Sequence, residues 1–197
     1  DGHRLVRLIN ASFVSNKVVK EIIIPAKALN LVLKSANDTN SSIMFNENNT
    51  IFSFGESILI SRVIEEKYPN YEGIIPLEND KTLIVDKNQL LESVRRTALY
   101  ASSTTHQVRF SLRRGSITIS AEDIDFGSEA RETLSCDYSS DPMEIGFNSS
   151  YIIDILSPVA TDEATFKLSS PTRARIVHPS PQRDGAHLLM LIMPVRL

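Results

Sequence analysis

The side chains that most often carry chemistry are all present in this sequence, but their spacing supports none of the common reactions. His3, His106, His178 and His187 are scattered, without the short intervals that let two imidazoles reach one metal. The single cysteine, Cys136, excludes a disulfide framework, fits a reducing compartment, and leaves zinc or iron–sulfur ligation without its thiolates. Carboxylates are plentiful, but none pairs with another in an apolar setting that would raise a pKa for acid–base work. Asp125-Phe126-Gly127 matches a kinase triplet, yet the glycine-rich loop and the catalytic-loop motif that give it meaning are missing. Nucleophile elbow, P-loop and dinucleotide fingerprint are absent too. The expectation is a protein that is not an enzyme and holds no metal or cofactor.

Binding is the chemistry these residue types can do. Leu188-Leu189-Met190-Leu191-Ile192-Met193 is an unbroken apolar run that reads as a buried strand. Pro194, with no N–H to donate, stops ladder pairing, and Val195-Arg196-Leu197 follows as a short amphipathic tail. Two compatible readings stand for that tail: the frayed end of a last core strand, or one wall of a groove for apolar peptides.

The elements that would position these residues recur. Ile22-Ile23-Ile24, Leu83-Ile84-Val85 and Ile145-Gly146-Phe147 are short apolar strands. Each precedes a helical pattern, running to about Ala36, Ala101 and Leu156. Pro25 suits a first helical turn, and Asp86 and Asn148 suit N-caps. Ile24, Val85 and Phe147 lie 61 and 62 residues apart (85 − 24 and 147 − 85). Leu29, Leu90 and Ile152 hold the same register, as do Leu33, Val94 and Leu156. A period near 60 residues predicts duplicated βαβββ units in an α+β fold.

Two or three strands alternating with period two follow each helix, as half-buried antiparallel strands should. Val108, Phe110 and Leu112 alternate with polar neighbours, as do Ile117, Ile119 and Ala121. Leu134, Cys136 and Tyr138 do the same, making Cys136 a buried, inert thiol. Ala174 and Ile176 are expected inside, with Arg173 and Arg175 outside. Gly115 marks a hairpin between two of these runs.

Placed at 100° per residue, each helix has one apolar stripe. Leu29, Val32, Leu33 and Ala36 form the first, with Lys27 and Lys34 pointing away. Leu90, Leu91, Val94 and Ala98 form the second, with Arg95 on the flank and Arg96 nearly opposite. Ile152, Ile155 and Leu156 form the third, leaving Asp154 exposed. Basic helix backs are commonly no more than solvated faces, but here two neighbouring units repeat the feature. Leu99 and Tyr100 are large and apolar, yet off the stripe of the second helix.

Length and composition permit one large domain or two small ones: 197 residues, 42% hydrophobic and 23% charged. No apolar run nears the roughly 20 residues that span a bilayer, and no signal peptide opens the chain, so no membrane role is expected. A formal net charge of −3 opposes coating of nucleic acid by bulk electrostatics. Residues 67–80, with two prolines and a glycine, read as a connector. The expected division is 1–76 and 77–197, the first part being incomplete and residues 1–15 the last strand of an upstream mate. The opening Asp1, with no Met before it, suggests a fragment or processed product.

Several motifs taken together are specific: the repeated units, Asp1-Gly2-His3-Arg4-Leu5, Tyr68-Pro69-x-Tyr71, Met143-Glu144-Ile145-Gly146-Phe147-Asn148 with Tyr151, and Met193-Pro194-Val195-Arg196-Leu197. On these the chain resembles the bacterial DNA polymerase III β subunit family, the sliding clamps, from the second part of the middle domain through the third. The resemblance implies a noncatalytic processivity factor, working in the cytoplasm on the nucleoid. Its subunits form a head-to-tail homodimer that closes as a ring around duplex DNA, with antiparallel sheets outside and helices inside. Lys27, Lys34, Arg95 and Arg96 would face the DNA. Leu99 and Tyr100 would belong to the subunit interface, beside an edge strand at Glu129–Tyr138.

The implied partners are the DNA polymerase III core, other polymerases, the clamp loader and repair proteins, all docking apolar motifs in one pocket. By the matching motifs that pocket would use Gly2, His3, Arg4, Leu5, Pro69, Ile74, Tyr151, Ala174, Met193, Pro194, Val195, Arg196 and Leu197. Gly73 stands where relatives often carry a basic residue, and Val195 where Met is frequent. The alternative is a protein-interaction module that has the clamp fold but assembles no ring.

Overall fold

A computed structural model of the chain describes residues 1–11, 21–36 and 41–197. Strand β1 covers Arg4–Asn10. Helix α1 (Ala26–Ser35) follows, then β2 (Ser41–Phe45), β3 (Asn49–Phe54) and β4 (Ser57–Arg62). A 3-10 turn at Glu72–Ile74 leads to β5 (Lys81–Asp86), α2 (Lys87–Ala98), β6 (Gln107–Arg113), β7 (Ser116–Asp123), β8 (Ser128–Ser135) and β9 (Asp137–Tyr138). The chain ends with β10 (Met143–Asn148), α3 (Ser149–Leu156), β11 (Glu163–Leu168), β12 (Arg175–Ser180) and β13 (Ala186–Ile192).

The helix starts follow from their caps. The Asp86 carboxylate accepts from the Gln89 amide at 2.8 Å, and the Asn148 side-chain oxygen accepts from the Ser150 amide at 3.0 Å. Each bond satisfies one backbone donor that a first helical turn leaves open. Helix α3 is only 8 residues long, shorter than the other two, because Pro158 cannot continue it.

The chain forms two compact units, one of Asp1–Val14 with Tyr71–Leu197, the other of Ser15–Asn70. The larger unit contains both complete βαβββ repeats, β5-α2-β6-β7-β8 and β10-α3-β11-β12-β13, and they exchange their leading strands. β5 pairs with β11, and β10 pairs with β6. The sheets that result are ordered β1-β13-β12-β11-β5-β9 and β10-β6-β7-β8. Helices α2 and α3 pack on one another and on strands of both sheets. Leu90, Val94, Ile152 and Leu156 are wholly buried there, beside Phe110 and Phe147, whose ring centroids lie 5.1 Å apart, edge to face.

Strand β1 is hydrogen-bonded to β13 along its whole length, from Arg4↔Ile192 to Asn10↔Ala186. The first strand of the chain therefore extends the larger unit's sheet; residues 12–15 lie outside the described residues.

Three corrections to the expected elements are needed, the first covering two features. In the smaller unit Ile22–Ile24 forms no strand beyond a single bridge, Ile23↔Ile64. The stripe of α1 is largely exposed as well: Ala28 is the helix's buried residue, while Leu33 is 80% exposed. One cause explains both. A leading strand needs a sibling's sheet to join and its helix needs that sheet for cover, and among its described residues this unit has one three-stranded sheet, β2-β3-β4.

The second correction concerns the expected strand Glu129–Tyr138, which breaks at Cys136. The Cys136 amide donates to the Gly115 carbonyl at 3.1 Å, and Tyr138 crosses to pair with Leu83 of β5. The third is a reversal of phase in β12. Arg175, expected outside, is fully buried and sits opposite Ile192, while Ile176 is only half-buried. The two terminal nitrogens of Arg175 donate to the backbone carbonyls of Arg173 and Ser170, while Nε is buried without a partner among the described residues.

Candidate peptide-binding site

Four segments distant in sequence meet around a cavity of about 520 Å³ in the larger unit. Asp1–Arg4 leads into β1; Ile74 and Pro76 come from the connector; Thr172, Arg173 and Ala174 from the turn between β11 and β12; Leu191 and Met193 from the end of β13. Pairing of β1 with β13 brings the first and last of these together. The Met193 amide, just past the strand, donates to the His3 carbonyl at 2.9 Å. Leu191 and Met193 are two residues apart and so present one face of the strand.

Beside the cavity, His3 stacks on Tyr151, with ring centroids 5.6 Å apart and planes inclined by 23°. The Arg4 guanidinium lies over the same ring, 4.4 Å from its centroid. Arg4 is held in place by Asp1, at 2.8 Å, and by Asp154 of α3. The result is a mostly apolar hollow bordered by an aromatic and cationic ledge. Such a surface can take up apolar side chains and orient the polar backbone that carries them.

Of the thirteen residues that the motifs nominate for the pocket, Gly2, His3, Arg4, Ile74, Ala174 and Met193 line the cavity. Tyr151 adjoins it through His3 and Arg4. Leu5, half-buried, pairs with Leu191 without lining the hollow. Pro194, Val195, Arg196 and Leu197 do not line it either: the tail turns onto β10, where Val195 bridges Gly146. Pro69 belongs to the smaller unit.

The sequence reading missed Asp1, Pro76, Thr172, Arg173 and Leu191. Leu191 was recoverable, being two residues before Met193 on one strand. Thr172 and Arg173 carry no local signal, since their place depends on how the β11–β12 turn closes.

The basic residues nominated for DNA fall on exposed helix surface. Lys27 and Lys34 lie on α1, and Arg95 and Arg96 on α2. Both arginines have carboxylate partners: Arg95 meets Glu92 at 2.7 Å, and Arg96 makes two 2.7 Å bonds to Glu132 of β8. Bonding to Arg96 holds the Glu132 carboxyl below its ordinary range. Leu99 and Tyr100, at the end of α2, are 82% and 44% exposed. Among the described residues no cluster of His, Cys, Asp or Glu could hold a metal ion, and no helix is long and apolar enough to cross a membrane.

Comparison with known proteins agrees with this architecture. The fold is that of solved DNA polymerase sliding clamps. The Pseudomonas aeruginosa clamp, 29% identical, superposes with a TM-score of 0.90 over 100% of this chain and 53% of its own. The Bartonella birtlesii clamp, also 29% identical, gives 0.91 over 100% and 56%. Family models for the DNA polymerase III beta subunit match residues 1–70 as its central domain and 72–196 as its C-terminal domain. The chain belongs to the DNA polymerase III beta subunit family. The Beta sliding clamp of Pseudomonas aeruginosa is 30% identical over 199 residues, covering 100% of this chain, which spans about half (53%) of that relative's length.

Proposed function

We propose that this chain is part of a noncatalytic processivity factor that encircles duplex DNA and docks short apolar peptide motifs in the cavity beside His3 and Met193. The observation that carries the docking role is the convergence of six nominated residues, from four distant segments, on one hollow. A peptide burying two apolar side chains there gains about 3 to 6 kcal/mol before ordering costs, at about 1.5 to 3 each. Once those costs are met the expected affinity is micromolar or weaker. Motifs of DNA polymerase III core, other polymerases, the clamp loader and repair proteins are the proposed occupants, in the cytoplasm.

Calorimetry with a Gln-Leu-x-Leu-Phe type peptide tests the docking role. Micromolar binding by the parent, weakened at least tenfold by His3→Ala with Met193→Ala, supports it. Equal binding by parent and variant overturns it.

Ring closure as a head-to-tail homodimer would use the exposed Leu99 and Tyr100 and the free edge of β8. Its test is sedimentation of the chain joined to the remaining half found in its relatives. Dimers that become folded monomers on Leu99→Ala with Tyr100→Ala support the ring. Dimers unaffected at sub-micromolar concentration reject it. Changing Lys27, Lys34, Arg95 and Arg96 to Glu in that longer protein should impair sliding, most visibly in low salt. The second reading, an interaction module without a ring, is favoured by one observation: Arg95 and Arg96 are already engaged by Glu92 and Glu132. Normal processivity of the fourfold variant would reject the DNA-facing role of the four cations, and a longer protein that binds peptide but gives no processivity would favour the module.

A further inference from the structure

Arg175 is a fully buried cation, and no carboxylate pairs with it among the described residues. Burial draws its pKa down to about 10, so it is still charged at neutral pH. As a core filler it is a poor choice. A hydrophobic side chain of similar volume commonly serves a buried site as well or better. What the guanidinium adds is a fork of donors. One terminal nitrogen donates to the carbonyl of Arg173 and the other to the carbonyl of Ser170. These two carbonyls belong to the turn between β11 and β12, which supplies Thr172, Arg173 and Ala174 to the cavity.

A second side chain grips the same turn at its ends. The Asn79 amide nitrogen donates to the Lys167 carbonyl at 2.9 Å and to the Ala174 carbonyl at 3.3 Å. Strand pairing stops short of the turn, whose own backbone bond is that of the Arg173 amide to the Ser170 carbonyl at 3.3 Å. β11 and β12 pair only between Glu163↔Ser180 and Lys167↔Ile176, so the segment between Leu168 and Arg175 lies beyond the ladder. Alternation along β12 puts Arg175 on the sheet face opposite Ala174. The guanidinium therefore holds the turn from behind, without occupying the hollow.

We propose that Arg175 and Asn79 are the positioning residues of the cavity: their bonds to four carbonyls of the β11–β12 connection fix Thr172, Arg173 and Ala174 as its wall. The proposal rests on the docking role assigned to the cavity above. It also makes a separate claim about the turn in the unliganded chain.

Arg175→Met keeps the volume and removes the donors. Asn79→Ala removes the other clamp independently. Each variant is compared with the parent by thermal denaturation, by amide relaxation of Ser170, Thr172, Arg173 and Ala174, and by calorimetry with the Gln-Leu-x-Leu-Phe type peptide. The expectation for Arg175→Met is an unchanged or higher midpoint, loosened turn amides, and peptide affinity about tenfold weaker. A residue needed only for folding would lower the midpoint first. Arg175→Lys, which cannot bridge two carbonyls as a planar fork does, should fall between parent and Met variant. Variants that bind within twofold of the parent overturn the proposal, as does a turn whose amides relax as in the parent. If the parent itself binds no peptide, the docking role fails. The turn amides alone then decide: loosening supports the positioning role, and no loosening overturns it.

Discussion

The amide of Val195 donates to the carbonyl of Gly146 at 2.9 Å, clipping the tail of the chain to the outer edge of β10. The approach is so close that a Cβ at Gly146 would stand 2.8 Å from the Val195 carbonyl oxygen and 2.9 Å from Leu197 Cδ2. The tail is thus neither a frayed end nor, from Pro194 to Leu197, a wall of the hollow. Gly146→Ala should displace the tail and cost about 1 to 3 kcal/mol, the usual range for overpacking. Because Met193 anchors the tail to His3, peptide affinity should fall with it. Thermal denaturation and calorimetry on the same sample check both effects.

Removing Met193 to Leu197 leaves β13 intact, so circular dichroism should still report a folded chain. The His3 carbonyl loses its partner, and one apolar lining residue disappears. Peptide binding is expected to drop beyond detection in calorimetry. A folded truncation that binds like the parent would place docking elsewhere.

The Glu132 carboxyl is held low mainly by its bonds to Arg96, so it gives up a proton more readily folded than unfolded. A carboxylate of that kind contributes stability above its unfolded pKa, near 4.5, and loses it as pH falls through the folded value. Acid denaturation of Glu132→Gln should therefore be less steep than that of the parent below about pH 4.5. Arg96 is exposed and Glu132 half-buried, so the difference should be small and should shrink in high salt. Identical acid profiles at low ionic strength would mean that the pair contributes nothing.

Burial, with a smaller effect from the Asp137 charge, raises the Cys136 thiol above its ordinary pKa. The thiolate is the reactive form. Labelling by a disulfide reagent at pH 8 should be slow in the native chain and fast in urea. Fast native labelling would show that β8 opens readily next to Cys136.

Much of the fold was legible in the sequence because local periodicities write it. The repeat near 60 residues, the starts of α2 and α3 at Asp86 and Asn148, and the alternation of β6 and β7 each depend on neighbours in the chain. The nomination of His3, Ile74, Ala174 and Met193 came from motifs, and those residues do line one hollow. Other features carry no local mark. Arg175 looks like an outward residue of an alternating strand, and its burial depends on the carbonyls of Ser170 and Arg173 being turned toward it. Leu29 and Leu33 form as good an apolar stripe as Leu90 and Val94, yet among its unit's described residues α1 has one sheet, β2-β3-β4, and the two leucines stay exposed.

By itself, then, the sequence determined most of the helices and strands and most of their apolar faces, Ile22–Ile24, the break at Cys136 and the phase of β12 excepted, since those follow from spacings of two to four residues. Only the tertiary structure decided which strands pair: the exchange of β5 and β10 between repeats, and the union of β1 with β13. The cavity is a product of those pairings, for residues 1–4, 74–76, 172–174 and 191–193 share no sequence neighbourhood. Long-range pairing is settled by the burial available to the whole assembly of strands, and no local window of sequence contains that quantity.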